Sequence, residues 1–502
     1  MYLRSLLANY VGTAWTTAMG VAFVPFYVSY LGLESYGVLG AFVLLQYVVG
    51  FIDNAIAPLL IKEVSRHRSG ASGTQELTAL RVAILRLLLV LSGVLLLAVV
   101  ASSPSLVRLF ANRSGVSLET YAVAVPALGM ASVLRVIEGY YRSILIGSEF
   151  QVRLNVVTCV LVTVRSVGAL AVLAAISPTL WAFGLWQLGM AVVSVAAIAI
   201  AAPRAKLIGS QSVAASVAVV RSHWRFGGGV MGLTGFTVAI ALVERSVLLS
   251  VLSLEQFGAY TLAVTIAGVT GLVAVPTGQV LNARVAGLEA AGHRAESVRL
   301  IRSTTQVLAV LVGAIGATFG LLSDHLIYAW TGSTELVDEL SIAVGLLAAS
   351  AAFNAFTVVP YRCRLAVGET RYWTIANALA AAICIPGYVI AAPHYGVIGT
   401  ACVACVVNLL LLTVASPISL YSLLGSAIRR WLSVDVAIVL CGATIVAALV
   451  RFGVADGVGS RWESCLRVAG SLILSAMAAS LCGSYVRQGL WARLMGVLRR
   501  EP

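Results

Sequence analysis

Charge is scarce in this chain. Only 11% of its 502 residues are charged, where a soluble globular domain carries roughly 25%. Lysine occurs twice, at Lys62 and Lys206, and histidine five times, at His67, His223, His293, His325 and His394. These histidines fall in loops or at helix ends and do not pair at metal-ligand spacing, which excludes a histidine-built metal centre. Long polar stretches are missing as well. The longest loop predicted on the outer side, near residues 102–118, has about 17 residues. Membrane enzymes of glycan assembly usually present carboxylates or a histidine on a larger outer loop, and none is offered here. Phosphate-binding glycine loops, zinc motifs and nucleophile elbows are also absent, so no catalytic or metal residue is assigned.

What is abundant is apolar. The chain is 60% hydrophobic, with a mean hydropathy of +0.98. Runs of about 20 apolar residues, enough to cross a bilayer, recur along its whole length. The runs are continuous and do not alternate, which excludes a transmembrane β-barrel. The expected fold is an all-α polytopic membrane protein of about 14 transmembrane helices, near 6–30, 37–61, 82–102, 119–146, 154–176, 180–202, 224–251, 257–282, 302–322, 339–364, 372–391, 395–420, 433–451 and 464–486. The start, Met1-Tyr2-Leu3-Arg4, resembles a signal peptide. The apolar stretch from Leu6 to Tyr30 is too long for one and lacks a cleavage site, so it is read as an uncleaved first span.

The formal charge of +13 follows from a positive-inside distribution and does not point to nucleic acid. With the N-terminus inside, about 25 of the 33 basic residues fall on the inner side, and about 5 outside: Arg108, Arg113, Arg451, Arg461 and Arg467. Both termini are therefore expected in the cytoplasm. The tail, with Leu490, Trp491 and Leu494 among Arg493, Arg499 and Arg500, reads as a short interfacial helix. Cys402-x-x-Cys405 has the look of a redox or zinc pair, but it lies within an apolar run without a second ligand pair, where cysteine packs as a small hydrophobe.

The chain carries one message twice. Leu31-Gly32-Leu33-Glu34-Ser35-Tyr36-Gly37 returns 221 residues later as Leu252-Ser253-Leu254-Glu255-Gln256-Phe257-Gly258. The same offset carries Gly147-Ser148-Glu149 onto Gly368-Glu369-Thr370, with Tyr141-Arg142 and Tyr361-Arg362 just upstream. Duplication gives an N-lobe over 1–210 and a C-lobe over 211–425, followed by two additional helices over 426–486 and a basic tail over 487–502. Six spans per lobe give both lobes the same orientation, as two parallel six-helix repeats.

Six charged residues within the spans call for partners: Arg135, Arg165, Arg245, Asp53, Glu138 and Glu244. An arginine at the centre of a membrane helix costs roughly 2.5–3.5 kcal/mol on insertion scales. Arg135, Glu138 and Arg142 are spaced i, i+3, i+7 and share one helix face. They form either a stripe that admits an anionic headgroup or a self-neutralised structural pair with Arg142 snorkelling. Arg165 has no acid three or four residues away, so its partner belongs to another helix, a ligand or water. Glu244 and Arg245 are adjacent and point about 100° apart, so each is expected to find its partner elsewhere. Asp53 has no basic neighbour at helical spacing. It either couples to a proton or Na⁺ or pairs with an arginine from another helix. Gly227-Gly228-Gly229, with Gly232 and Gly235, gives the seventh helix small-residue spacing for close packing or bending.

Together, Asn9, Gly12, Pro25, Leu31-Gly32, Tyr36-Gly37, Asp53 and the basic end of the second span are similar to the polysaccharide flippases, the O-antigen and capsule repeat-unit translocases of the multidrug/oligosaccharidyl-lipid/polysaccharide exporter superfamily. Glu244-Arg245 stands where many members resemble Asp-Arg; the acid is kept but lengthened. The resemblance covers essentially the whole chain. It implies movement of an undecaprenyl-diphosphate-linked oligosaccharide from the inner to the outer leaflet of the bacterial cytoplasmic membrane, by alternating access, for surface polysaccharide synthesis. It implies no enzyme activity and no cofactor. The partners would be the lipid-linked oligosaccharide, membrane lipids and other polysaccharide-assembly membrane proteins. Arg135, Arg142, Arg165 and Arg245 would meet diphosphate and sugar; Asp53, Glu138 and Glu244 would couple to H⁺ or Na⁺ or gate the path. Three alternatives stand beside it: a lipid II flippase, a multidrug exporter, whose cation-suited cavity fits poorly with arginines, and, from a different class, a membrane glycan polymerase or ligase.

Overall fold

The computed structural model describes residues 2–68, 73–113, 117–203, 232, 234–453 and 459–488. The interfacial tail helix and the Gly227–Gly229 run of the sequence reading lie outside them. The described residues are helical with no strand. In chain order the helices are α1 (Tyr2–Ala22), α2 (Val24–Arg68), α3 (Thr74–Ala111), α4 (Leu118–Gly147), α5 (Gln151–Ala175), α6 (Leu180–Ala201), α7 (Thr234–Val251), α8 (Leu254–Leu272), α9 (Ala274–Ala290), α10 (Arg294–Leu321), α11 (Ser323–Thr331), α12 (Thr334–Ala366), α13 (Arg371–Leu410), α14 (Ser416–Leu424), α15 (Ile428–Arg430), α16 (Val439–Phe452) and α17 (Arg461–Cys482).

Among the described residues, eleven continuous helical stretches are long and apolar enough to cross a membrane. One of them, Arg371–Phe452, runs for 82 residues. Straight, it would extend roughly 120 Å, about four times the hydrocarbon thickness. It turns back at Gly396 (φ +55°) and Gly425 (φ +54°), left-handed positions that only glycine adopts readily, and so supplies three spans. Gly32 (φ +77°) likewise divides α2, whose first part continues α1 as the first span. These breaks turn eleven stretches into the fourteen expected spans.

Packing divides the chain into Met1–Thr261 and Leu262–Pro502. In the first unit α4 is the hub, packed against α2, α3 and α6. Its buried positions, among them Tyr121, Val125, Leu128, Val136, Tyr140 and Ile144, run along most of its length. In the second unit α10 is the hub for α9, α12, α16 and α17. Helices α16 and α17 are tied to α10 by packing and by a buried network. Asp435, fully buried, accepts from Arg302 Nε at 2.6 Å and Nη2 at 3.0 Å and from Gln306 Nε2 at 2.6 Å. Gln306 also donates to Ser484 Oγ and accepts from the Tyr485 backbone N–H.

Division by packing differs from division by repeat, because α7 and the start of α8 join the first unit. The reason lies in the duplicated motif. A Cβ added to Gly37 would overlap the carbonyl oxygen of Leu254, and a Cβ added to Gly258 would overlap that of Leu33. Gly37 and Gly258 are equivalent under the 221-residue offset, as are Leu33 and Leu254. The two motif copies therefore meet by a local two-fold rule, each glycine seated on the other copy's leucine carbonyl.

The second repeated segment follows a different register. The left-handed residue closing α4 is Glu149 (φ +59°), and the one closing α12 is Gly368 (φ +80°). The hydrogen bonds match: Phe150 N–H donates to Leu145 O as Glu369 N–H donates to Arg364 O, and Glu149 N–H to Ile146 O as Gly368 N–H to Leu365 O. Position 149 thus corresponds to 368, an offset of 219. This corrects the pairing of Gly147 with Gly368, since the helix-ending motif sets the equivalence through conformation and not through residue identity.

In the second unit α11 docks on α17 through His325, which is 2% exposed. His325 Nε2 lies 3.2 Å from Arg467 Nη1, and Nδ1 lies 3.2 Å from Ser464 Oγ. Arginine can only donate, so Nε2 accepts and the neutral ring carries its proton on Nδ1. Glu463 pairs with Arg467 and Asp324 with Arg451 around it. Burial, together with Arg467 and Arg451, holds the His325 pKa below 6.5 against the pull of Asp324 and Glu463. The unfolded chain therefore takes up a proton before the folded one does. This contribution to stability is complete above pH 6.5 and is lost as pH falls through the folded value. The melting temperature is expected to drop on acidification below pH 6.5, and His325→Gln to flatten that slope; equal slopes for both proteins would refute the assignment.

Candidate functional site: a charged cavity in the first unit

Five of the seven sequence-predicted site residues come together in a cavity of about 410 Å³ lined by α1, α2, α4, α5 and α6. Helix α2 contributes Gln46 and Asp53; α4 contributes Arg135, Glu138 and Arg142; α5 contributes Arg165. The i, i+3, i+7 spacing on α4 places its three charges on the cavity side, as the sequence predicts. Three guanidiniums against two carboxylates leave a net formal charge of +1.

Each charge is held differently. Glu138 accepts from Arg142 Nη1 at 3.2 Å. Arg165 reaches across to α6, where its Nη2 donates to Ser194 Oγ at 2.9 Å. Ser194 in turn donates to Met190 O, and the Arg165 carbonyl accepts from Trp186 Nε1 at 2.9 Å. The absent side chain of Gly168 leaves room for the Trp186 ring that makes this last bond. Arg165 is thereby fixed in place while its Nε, fully buried, has no hydrogen-bond partner. Arg135 forms no hydrogen bond or ion pair among the described residues, and it is exposed to the cavity space. Asp53 likewise has no hydrogen-bond or ion-pair partner there. Its carboxylate lies flat on α4 at Gly139, where any Cβ would collide with it. Thr158 Oγ1 lines the same space, buried and unpaired.

Two atoms lining this space, Arg165 Nε and Thr158 Oγ1, are buried without a partner. A buried polar atom without a partner costs roughly 1–3 kcal/mol. Arg135, Arg165 and Thr158 together offer N–H and O–H donors to one half-open space, an arrangement that suits an anion with several oxygens. Asp53 offers the opposite: an unpaired acceptor for a proton or a small cation.

Glu244 and Arg245 do not line this cavity. As expected for adjacent residues, their partners lie on other helices. Glu244 Oε1 accepts from Tyr260 Oη at 2.9 Å. The Arg245 guanidinium lies 5.6 Å from the Tyr47 ring centroid and 5.7 Å from that of Tyr260. Arg245 is 5% exposed, and its Nη1 has no hydrogen-bond partner. The cluster joins α7, α2 and α8 beside the Gly37–Gly258 contact, and Tyr47 is six residues from Asp53 on α2. Sequence reasoning missed Ser194, Gly139, Tyr47 and Tyr260. Small and aromatic residues inside apolar helices carry no signal that separates them from ordinary packing positions.

Solved structures share this all-helical fold. The lipid II flippase MurJ in an inward closed conformation superimposes with a TM-score of 0.65 at 13% identity, over 95% of this chain and 98% of that one. An inward-facing multidrug resistance MATE family transporter of the MOP superfamily gives 0.62 at 17% identity, over 83% and 96%. A MOP superfamily transporter from Pyrococcus furiosus Vc1, described as having a binding pocket of reverse polarity, gives 0.53 at 14% identity, over 85% and 96%. No family model and no curated protein matches the chain.

Proposed function

We propose that this protein is a flippase that carries an undecaprenyl-diphosphate-linked oligosaccharide from the inner to the outer leaflet of a bacterial cytoplasmic membrane for surface polysaccharide synthesis. The observation that carries this reading is the convergence of Arg135, Arg142 and Arg165 in one cavity, with the Arg165 Nε buried and unpaired. Guanidinium groups match phosphate oxygens bidentately. A volume of about 410 Å³ lies within the roughly 300–1,000 Å³ range of small-molecule sites. It accommodates a diphosphate and an adjoining sugar, while the lipid and the rest of the glycan extend outside.

Charge bookkeeping supports ion coupling. A diphosphate diester of charge −2 would change the cavity from +1 to −1. A proton or Na⁺ on Asp53, the carboxylate without a partner, would restore neutrality. Glu244, hydrogen-bonded to Tyr260 beside the motif contact, is the second coupling or gating candidate. The duplicated motif supports this reading, since two parallel repeats would supply the two equivalent lobes that alternating access requires.

The multidrug alternative predicts the opposite ligand charge. In detergent, the purified protein is expected to bind the undecaprenyl-diphosphate oligosaccharide, and an excess of a lipophilic drug cation is expected not to displace it. Displacement by the cation, with no binding of the diphosphate, would overturn the reading. The lipid II flippase remains the second reading, favoured by the 95% coverage of this chain by the MurJ structure. It shares the diphosphate and differs in the sugar, so competition between the two lipid-linked glycans separates them.

A further inference from the structure

The second unit contains a cleft that the flippase reading does not use. It has a volume of about 680 Å³ and lies between α9 and α10, the two arms of a hairpin closed at Ala291–His293. Arg284 stands on α9, and Glu296 and Arg299 stand on α10. Leu288 and Leu300 provide apolar walls. Arg284 and Arg299 form no hydrogen bond or ion pair among the described residues. Their neighbour Arg302 is committed to Asp435, and Arg294 donates to the Ser422 carbonyl. Gly287 opens the α9 wall, since a Cβ there would have no atom within 4 Å.

Position and chemistry agree. With the N-terminus inside, the hairpin turn lies at the inner surface. At about 1.5 Å per residue, Arg284 sits roughly 10 Å up α9 and Arg299 roughly 8 Å up α10. That is the depth of lipid headgroups at the boundary of the hydrocarbon. Two arginines against one glutamate leave a net positive charge beside leucine walls. Basic pockets between membrane helices on the cytoplasmic side suit anionic headgroups.

We infer that the α9–α10 cleft is a second anion site, separate from the cavity of the first unit, which binds a phosphate group between Arg284 and Arg299. The phosphate comes either from an anionic lipid of the inner leaflet or from free phosphate or diphosphate. The site stands independently of the transported substrate.

The test uses the full-length protein in nanodiscs and detergent. Phosphatidylglycerol binding is measured against phosphatidylcholine, and inorganic phosphate and pyrophosphate binding is measured without lipid. The probe set is repeated on Arg284→Gln/Arg299→Gln, on Gly287→Leu, which fills the cleft and leaves its charge unchanged, and on Arg429→Gln/Arg430→Gln, which removes equal charge from an exposed helix end. Selective phosphatidylglycerol binding, weakened roughly ten- to hundredfold by the first two variants and unchanged by the third, establishes a lipid site. The same pattern with phosphate or pyrophosphate, and no preference among lipids, establishes a free-anion site. Equal binding by the wild type and both cleft variants, or equal loss in the Arg429/Arg430 control, overturns the proposal. If the double arginine variant fails to fold, Gly287→Leu carries the test alone.

Discussion

Loss of glycan export is the expected result of Arg135→Gln/Arg165→Gln. Both side chains present donors to the same cavity, and neither has an acidic partner that its removal would orphan. Hydrogen bonds to charged groups contribute roughly 1.5–3 kcal/mol each. Two lost together should weaken diphosphate binding by roughly two to four orders of magnitude. The variant is nevertheless expected to insert and fold normally, because neither substitution leaves a buried opposite charge unpaired. Arg142→Gln should do less, since Glu138 already neutralises that arginine at 3.2 Å, and its loss leaves Glu138 unpaired. Measuring surface polysaccharide in a complemented deletion strain, alongside membrane levels of each variant, separates binding loss from misfolding. Normal export by the double variant at normal levels would contradict the diphosphate assignment.

The second large effect is structural and carries a signature. Gly37→Val and Gly258→Val should each destabilise the protein by about 1–3 kcal/mol, because either side chain meets a backbone carbonyl that cannot rotate away. Because the two contacts are related by a local two-fold rule, the single variants should cost similar amounts. The double variant should cost less than their sum, since both open one shared interface. Gly20→Ala, where a Cβ meets nothing within 4 Å, is the control and should have no such effect. Thermal melting of the purified variants in detergent reads all four. Additive and unequal costs would mean that the two copies do not form one contact.

Much of this was legible in residue order. Apolar runs of bilayer length mark the spans, and the i, i+3, i+7 spacing of Arg135, Glu138 and Arg142 marks one wall of the cavity. The lack of a local acid near Arg165 pointed to another helix. What supplies its partner, the Ser194 hydroxyl, was invisible, because a serine inside an apolar helix more often bonds its own backbone, as Ser194 also does. Gly139 was equally silent: its role is the space it leaves for Asp53, a property of two helices and not of one. The duplicated motif was plain as a repeat. Its two copies touching each other could not be read from sequence, which fixes equivalence but not contact. The 219-residue register at Glu149 and Gly368 was hidden for a related reason: a helix end selects a left-handed conformation, and Glu149, paired with Arg68 at 2.8 Å, fills it in place of glycine.

On the proposed function, a lipid-linked diphosphate crosses the membrane through the arginine cavity. This crossing is tested most directly by reconstituting the protein in vesicles with a fluorescent undecaprenyl-diphosphate oligosaccharide and following quenching by a membrane-impermeant reagent. Protein-dependent exchange between leaflets that is lost in Arg135→Gln/Arg165→Gln is the predicted result. Folded wild-type protein that gives no exchange under a proton gradient, a Na⁺ gradient or none, or a double variant that exchanges at the wild-type rate, would contradict it.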